Sequence, residues 1–198
     1  KRERQDEQVQ VVLRVRELHS LTGHIRMLYG TDAPAGADTR LLEAGCSALW
    51  ERRHFVLDRL GSASAQSADA VRVDLLDLAI LWPDLRVRRS TGDDRRQARA
   101  EALEVLDEAE QLLGPSVVLY RQRAELARAL GRTDLAEAAD ECGARTPPQT
   151  AWEHYALGRS LLQSDDLQKA AAEFRHAVLL EPEGLWPHFY QGVCAYHL

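Results

Sequence analysis

The sequence predicts an all-α protein, an α-solenoid of antiparallel helix pairs with longer helices at its N-terminal end. Apolar residues recur every three to four positions through most of the chain, which is the spacing of one buried helix face. Glycine, proline and aspartate interrupt this pattern between the predicted helices. Alternation with period two is almost absent, and no Asn-Gly or Asp-Gly pair closes a hairpin, so we expect no strands.

The N-terminal region, residues 1–90, is predicted to contain three long helices, over about 6–29, 39–60 and 69–88. Pro83 lies inside the third and removes a backbone hydrogen bond, so we expect that helix to bend or to split. Two interpretations stay open, a helical adaptor packed on the array or an irregular start of the solenoid. The apolar stripe of the first helix consists of Val9, Val12, Val15, Leu18, Thr22, Ile25 and Tyr29.

Shorter helices follow from residue 91 onward. Gly114-Pro115, Gly131, Pro147-Pro148 and Pro182 mark the ends of helices, because glycine relieves the last turn and proline cannot continue it. Thr150 and Glu153 have the spacing of a capping box, which predicts a helix start at Thr150. The predicted helices run over about 94–113, 116–130, 133–144, 150–164, 166–181 and 185–197.

A repeat is visible in this second half. One set of small and large residues has the order of a tetratricopeptide (TPR) repeat, a helical hairpin of about 34 residues. Stepping back by one period lands on Ala124, Ala136 and Pro148. The sequence therefore predicts a TPR-like array over 91–198, with a degenerate repeat at 117–150, a full one at 151–184 and a truncated one at 185–198. The matching residues of the full repeat are Leu157, Gly158, Leu161, Ala170, Phe174, Ala177 and Pro182.

The resemblance to TPR proteins implies a concave groove lined by the first helix of each repeat. Aromatic rings there would supply contact area, and guanidinium groups would bind carboxylates of an extended peptide. An alternative for Trp186 and Phe189 is that they pack on the preceding helix, or are exposed only because the next helix is missing. The groove candidates are Arg121, Arg128, Trp152, Tyr155, Arg159, Gln163, Trp186, Phe189 and Tyr196, with Glu125, Leu162, Val193 and His197 at neighbouring positions.

A narrower resemblance rests on the runs 74–88, 150–162 and 184–196. They resemble the C-terminal region of large bacterial eukaryote-like serine/threonine protein kinases that carry TPR arrays. This resemblance implies a kinase domain upstream, often followed by a membrane segment, and further repeats downstream. Since the chain begins with charged residues and stops inside a helical pattern, we expect it to be a piece of a longer protein.

No catalytic motif accompanies this pattern. The sequence lacks the Gly-rich loop, the His-Arg-Asp and the Asp-Phe-Gly elements of a kinase, and its lysines, Lys1 and Lys169, are not placed to bind ATP. Cys194 and His197 are one helical turn apart, but a structural zinc needs four ligands, so we expect no metal and no cofactor. The three scattered cysteines indicate reduced thiols rather than a disulfide framework.

Composition narrows the partners. The net charge of −6 argues against nucleic acid, and no apolar run is long enough to insert into a membrane. We therefore expect a cytoplasmic, non-catalytic scaffold for protein–protein interaction, tethered to a membrane only through a parent kinase. The alternatives are a structural spacer and a module that self-associates through its C-terminal helix; a small helical enzyme is disfavoured by the missing motifs.

Overall fold

The computed structural model describes residues 2–28, 37–58 and 65–197, and all of its regular structure is helical. The predicted all-α class is confirmed, and no strand occurs among these described residues. Helices in this part of the chain are α1 Arg2–Leu28, α2 Ala37–Glu51, α3 Arg53–Leu57, α4 Ala65–Arg89, α5 Gly92–Leu113, α6 Val117–Ala129, α7 Thr133–Arg145, α8 Ala151–Gln163, α9 Leu167–Leu180 and α10 Leu185–His197.

The chain divides into two compact units, Lys1–Leu113 and Gly114–Leu198. Helix α5, which the sequence analysis groups with the C-terminal array, belongs to the first unit. It packs against α4 along a stripe of small and branched residues that are almost completely buried. Small side chains let two long helices approach closely along their length. The residues of this stripe are Ala98, Ala102, Leu106 and Ala109.

Helix α4 is the central element of the first unit and contacts α1, α2 and α5. Its middle turns are buried on nearly every side, because partners cover more than one of its faces. Pro83 lies within this helix, which continues to Arg89, so the predicted split does not occur. Pro83 removes one backbone hydrogen bond, but a well-packed helix can tolerate that loss without breaking.

A buried ionic network joins α1 to α4. Arg26 donates from Nε to Asp77 Oδ2 at 2.6 Å and from Nη2 to Asp74 Oδ1 at 2.7 Å. Thr22 donates to the same Asp74 oxygen at 3.1 Å, and the His19 ring lies 3.0 Å from the other oxygen. Buried charges are retained where hydrogen bonds satisfy them, and this network fixes the register of the two helices.

Two details of the N-terminal region differ from prediction. Val9 and Val12 are 53% and 44% exposed, whereas Val11 is buried, so the buried face of α1 passes through Val11 and not through the predicted Val9 and Val12. The second predicted helix is interrupted at Arg52, which separates α2 from α3. Residues 29–36 and 59–64, which include the predicted stripe residue Tyr29 and the end of the second predicted helix, lie outside the described residues.

The second unit is built from helices that pack with their neighbours in sequence. Helix α6 packs on α7 and α8 packs on α9, while α10 contacts both α9 and α8. Short turns join the members of each pair, and Gly131 at φ +74° and Asp165 at φ +61° close two of them in the left-handed region. Glycine and aspartate are among the residues that adopt this conformation most readily. Within this unit, α8 contacts both α6 and α10.

Candidate functional site

Helix α8 is held at its first turn by a capping box. Thr150 Oγ1 accepts from the backbone N–H of Glu153 at 3.1 Å, and Glu153 Oε2 accepts from the backbone N–H of Thr150 at 3.2 Å. The predicted helix start is confirmed. Ser116, the N-cap of α6, donates to the second oxygen of Glu153 at 3.0 Å. One glutamate thus aligns the starts of α6 and α8.

The two helices of the α8–α9 pair approach closely at Gly158. A Cβ on Gly158 would lie 2.9 Å from Cε1 of Phe174, a distance that real Cβ atoms do not adopt. Ala170 and Ala177, on the same helix as Phe174, are fully buried. At Gly158, therefore, no larger residue fits without displacing the ring.

An aromatic cluster fills the space between α8, α9 and α10. The rings of Phe174 and Tyr190 are stacked with centroids 5.5 Å apart, and Tyr155 lies 5.7 Å from Tyr190 and 6.4 Å from Phe174. Phe174 and Tyr190 are completely buried. Through Tyr190, α10 covers the side of α8 that carries Tyr155 and so closes this part of the core.

This packing decides where the predicted groove residues of α8 lie. Trp152, Tyr155 and Arg159 are 8%, 3% and 2% exposed, whereas Gln163 is exposed. Arg159 donates to the hydroxyl of Tyr155 at 2.9 Å and lies 4.9 Å from its ring centroid. The first three are core residues in this structure, and Tyr155 is covered by Tyr190 of α10. These three side chains lie beneath the protein surface and do not line an exposed groove.

The predicted groove arginines of α6 reach solvent but are engaged by neighbours. Arg121 is half-exposed, donates from Nε to Ser160 at 2.8 Å and pairs with Glu125 at 3.2 Å. Arg128 is exposed and forms an ion pair with Asp140 of α7. Both guanidinium groups thus already have hydrogen-bonding or charged partners within the unit.

Helix α10 presents the most exposed of the predicted aromatic residues. Tyr196 is 86% exposed, Phe189 is 38% exposed and Trp186 is half-buried. Trp186 and Phe189 meet edge to face at 6.2 Å, and Phe189 meets the buried Tyr190 in the same way at 5.2 Å. These residues and Val193 follow one another at three- and four-residue intervals, so they form one stripe of the helix. We call Trp186, Phe189, Val193 and Tyr196 the α10 face.

Exposed leucines adjoin the turn between α9 and α10, and the sequence analysis missed them. Leu179 and Leu180 are 76% and 56% exposed at the end of α9, and Leu185 is 70% exposed at the start of α10. Their position next to Pro182, outside the apolar stripe of α9, was the signal in the sequence that could have indicated their exposure. Together with the α10 face they give this end of the unit an apolar surface.

A histidine–carboxylate cluster lies elsewhere on the same unit. His154 of α8 and Glu173 and His176 of α9 bring their ligand atoms within 4.8 Å of one another. These three residues were not among the candidates predicted from the sequence. The available signal was the Glu-x-x-His spacing at 173–176, which puts both side chains on one face of α9. The cluster contains three ligand residues, whereas a structural zinc site has four, usually cysteine and histidine.

The described cysteines are free. Burial is the main cause that raises the pKa of the Cys46 thiol to about 12, and the Glu43 carboxylate adds to it. Burial also raises the pKa of the Cys194 thiol. A thiol held in its protonated form is a poor nucleophile and a poor metal ligand.

Comparisons with protein-family models, with curated proteins and with solved structures found no match. The resemblance to kinase-associated TPR regions therefore stays a prediction. None of the helices in the described ranges is both long enough and apolar enough to cross a bilayer.

Proposed function

We propose that this chain is a non-catalytic protein-interaction scaffold of the TPR type, whose α10 face binds an extended peptide segment with apolar side chains. The observation that carries the proposal is the exposure of Phe189 and Tyr196 on a helix that the fully buried Tyr190 anchors to the core. Aromatic residues on an ordered helix face are typical of interface anchors, because they offer large area at little entropic cost.

The register of the second unit supports the TPR part of the proposal. Helices α6, α8 and α10 begin at Val117, Ala151 and Leu185, which repeats the 34-residue period of such hairpins. The left-handed turn residues Gly131 and Asp165 are separated by the same period. Buried small residues recur with it as well, at Ala124 and Gly158 in the first helices and at Ala136 and Ala170 in the second.

The nature of the partner follows from which groups remain available. Arg159 is buried and Arg121 and Arg128 are engaged, so charge from the predicted groove contributes little to recognition. The rings of the α10 face are available, and contacts with apolar or aromatic side chains bury the most area there. The proposed partner is therefore recognised mainly through apolar side chains.

A peptide selected from a random displayed library against the full chain tests this function. Its affinity is then measured calorimetrically for the wild type, Phe189→Ala, Tyr196→Ala and Leu135→Ala. Leu135 is the matched control, since it is 37% exposed on α7, close to the 38% of Phe189. Affinity lost in the two α10 variants and kept in Leu135→Ala supports the proposal. Selection of no binder, or equal affinity for all four proteins, contradicts it.

The link to a serine/threonine kinase is a separate part of the proposal and rests on the resemblance of runs 74–88, 150–162 and 184–196. In that setting the scaffold brings a substrate or regulator to a catalytic domain of the same polypeptide. Reading the coding sequence upstream of Lys1 tests it. A domain with His-Arg-Asp and Asp-Phe-Gly motifs supports the link, and a domain of another kind refutes it.

Self-association is the second candidate, favoured by the exposed Leu179, Leu180 and Leu185 beside the α10 face. A second copy of the chain would cover these leucines and bury their area. Sedimentation velocity over a range of concentrations separates the two candidates. A dimer abolished by Leu185→Glu supports self-association, whereas a monomer at every concentration leaves the peptide as the occupant of this surface.

A further inference from the structure

His154, Glu173 and His176 form a cluster that belongs to neither the α10 face nor the aromatic core. His154 Nδ1 lies 2.7 Å from Glu173 Oε2, and the two imidazole rings meet edge to face with centroids 5.1 Å apart. Glu173 and His176 are one turn apart on α9, and His154 faces them from α8. Each of the three residues offers one ligand atom, and these atoms all lie within 4.8 Å of one another.

We propose that these three side chains bind one Zn²⁺ ion. Two imidazole nitrogens and one carboxylate oxygen are ligands that Zn²⁺ accepts, and a water completes such a set at an open fourth position. Bonds of about 2.0–2.2 Å place tetrahedral ligand atoms roughly 3.3 Å apart. The three ligand atoms lie within 4.8 Å of one another, so side-chain rotations suffice to bring them to that separation.

Two features indicate that this cluster is ordered and is not a chance contact between surface side chains. The side chains of His154 and Glu173 are only 15% and 21% exposed, so both are held by the packing of α8 on α9. Their neighbour Phe174 lies against Gly158, which fixes the spacing of the two helices beside the cluster. His176 is exposed and leaves an entry path for the ion and its water. Two of the three ligands are thus already ordered, which lowers the conformational entropy that metal binding costs.

The ion would join the two helices of one hairpin. Its ligands come from α8 and α9 alone, so binding adds a cross-link within the hairpin and stabilises the second unit by mass action. This role does not depend on the proposed peptide function, because the α10 face contributes no ligand. A simple ion pair between His154 and Glu173, with His176 as a bystander, is the competing explanation.

Titration of the full chain with ZnCl₂, followed by calorimetry, tests the proposal. We expect saturation at one ion per chain, and Co²⁺ in place of Zn²⁺ gives the intense visible absorption of tetrahedral coordination. His176→Ala is the key variant, since its side chain is exposed and its loss leaves the fold intact by circular dichroism. We expect its affinity for Zn²⁺ to fall at least about tenfold, with a comparable loss for Glu173→Gln.

His197→Ala is the matched control, an exposed histidine of the same unit outside the cluster. Its affinity and stoichiometry are expected to equal those of the wild type. Zn²⁺ is also expected to raise the melting temperature of the wild type and of His197→Ala, but not that of His176→Ala. Absence of saturable binding, or equal affinity in His176→Ala and the wild type, overturns the proposal.

Discussion

Gly158 of α8 lies against the ring of Phe174 of α9 so closely that a Cβ on the glycine would be 2.9 Å from Cε1. The ring cannot move aside, because it is fully buried and stacked on Tyr190 at 5.5 Å. We therefore predict that Gly158→Ala destabilises the chain. Overpacking costs about 1–3 kcal/mol, and the better helix propensity of alanine returns up to about 1 kcal/mol. Chemical denaturation followed by tryptophan fluorescence measures the net loss.

Gly192→Ala is the control for that prediction. Gly192 lies in α10 with nothing within 4 Å of a Cβ built on it. Alanine there gains helix propensity without a clash, so we expect a stabilisation of about 0.5–1 kcal/mol. Opposite signs for the two glycines support the close approach of α8 and α9. A stabilising Gly158→Ala would mean that the helices are further apart than described.

Asp77→Ala tests the buried network of the first unit. Asp77 is fully buried and accepts from Arg26 at 2.6 Å, so its removal leaves a buried guanidinium with fewer partners. We expect a loss of about 3–5 kcal/mol in the free energy of unfolding. Glu17→Ala removes the exposed partner of Arg14 on the same helix as Arg26 and is expected to cost under about 1 kcal/mol. Similar losses in both variants would refute a dominant role for the network.

Thr150→Ala tests the capping box of α8. It removes the acceptor for the Glu153 N–H and leaves one donor of the first turn without its partner. The expected cost is about 1 kcal/mol in the free energy of unfolding. Thr150→Ser keeps the hydroxyl and is expected to stay close to the wild type. Equal losses in both variants would mean that the methyl group, and not the hydrogen bond, stabilises this turn.

Thiol labelling tests the burial of the cysteines. Because burial raises the pKa of the Cys46 and Cys194 thiols, both stay protonated and shielded in the folded chain. Iodoacetamide at about pH 8 is expected to label Cys142, which is half-buried, well before the other two. Mass spectrometry of tryptic peptides measures the order. Labelling of Cys46 at the rate of Cys142 without denaturant contradicts the described core.

The same pKa shift sets a pH dependence. The pKa of Cys46 is about 12 in the folded chain, and an unburied cysteine thiol has a pKa near 9.0. The folded state therefore holds this proton more tightly than the unfolded state. Its contribution to stability is therefore complete below about pH 9 and is lost as the pH rises toward 12. We expect the difference in stability between the wild type and Cys46→Ala to narrow over that window. A constant difference would exclude the shift.

Local patterns were enough to predict much of the second unit. Helix α8 was expected over 150–164 and runs from Ala151 to Gln163. Its start was predictable because Thr150 and Glu153 form a capping box within a single turn. Helix ends of this kind depend on caps, glycines and prolines that are visible in the sequence. The register of α1 was less well predicted, since exposure of Val9 and Val12 depends on which helices lie beside them.

The candidate site could be predicted only in part, for a physical reason. Repeat position placed Phe189 and Tyr196 in the predicted groove, and both are exposed, but Tyr155 is buried against Tyr190 of α10, a contact between residues distant in sequence. The approach of His154 to Glu173 likewise requires the register of the α8–α9 pair. Periodicity predicts which side of a helix is apolar, but not which neighbour covers it.

Chemical-shift mapping tests most directly whether the α10 face is a binding surface, as proposed. An isotope-labelled full chain is titrated with the library-selected peptide, and amide shifts are followed residue by residue. The largest shifts are expected on α10 between Trp186 and Tyr196, with α7 around Leu135 unaffected. Largest shifts on other helices, with α10 unchanged at saturation, would contradict it.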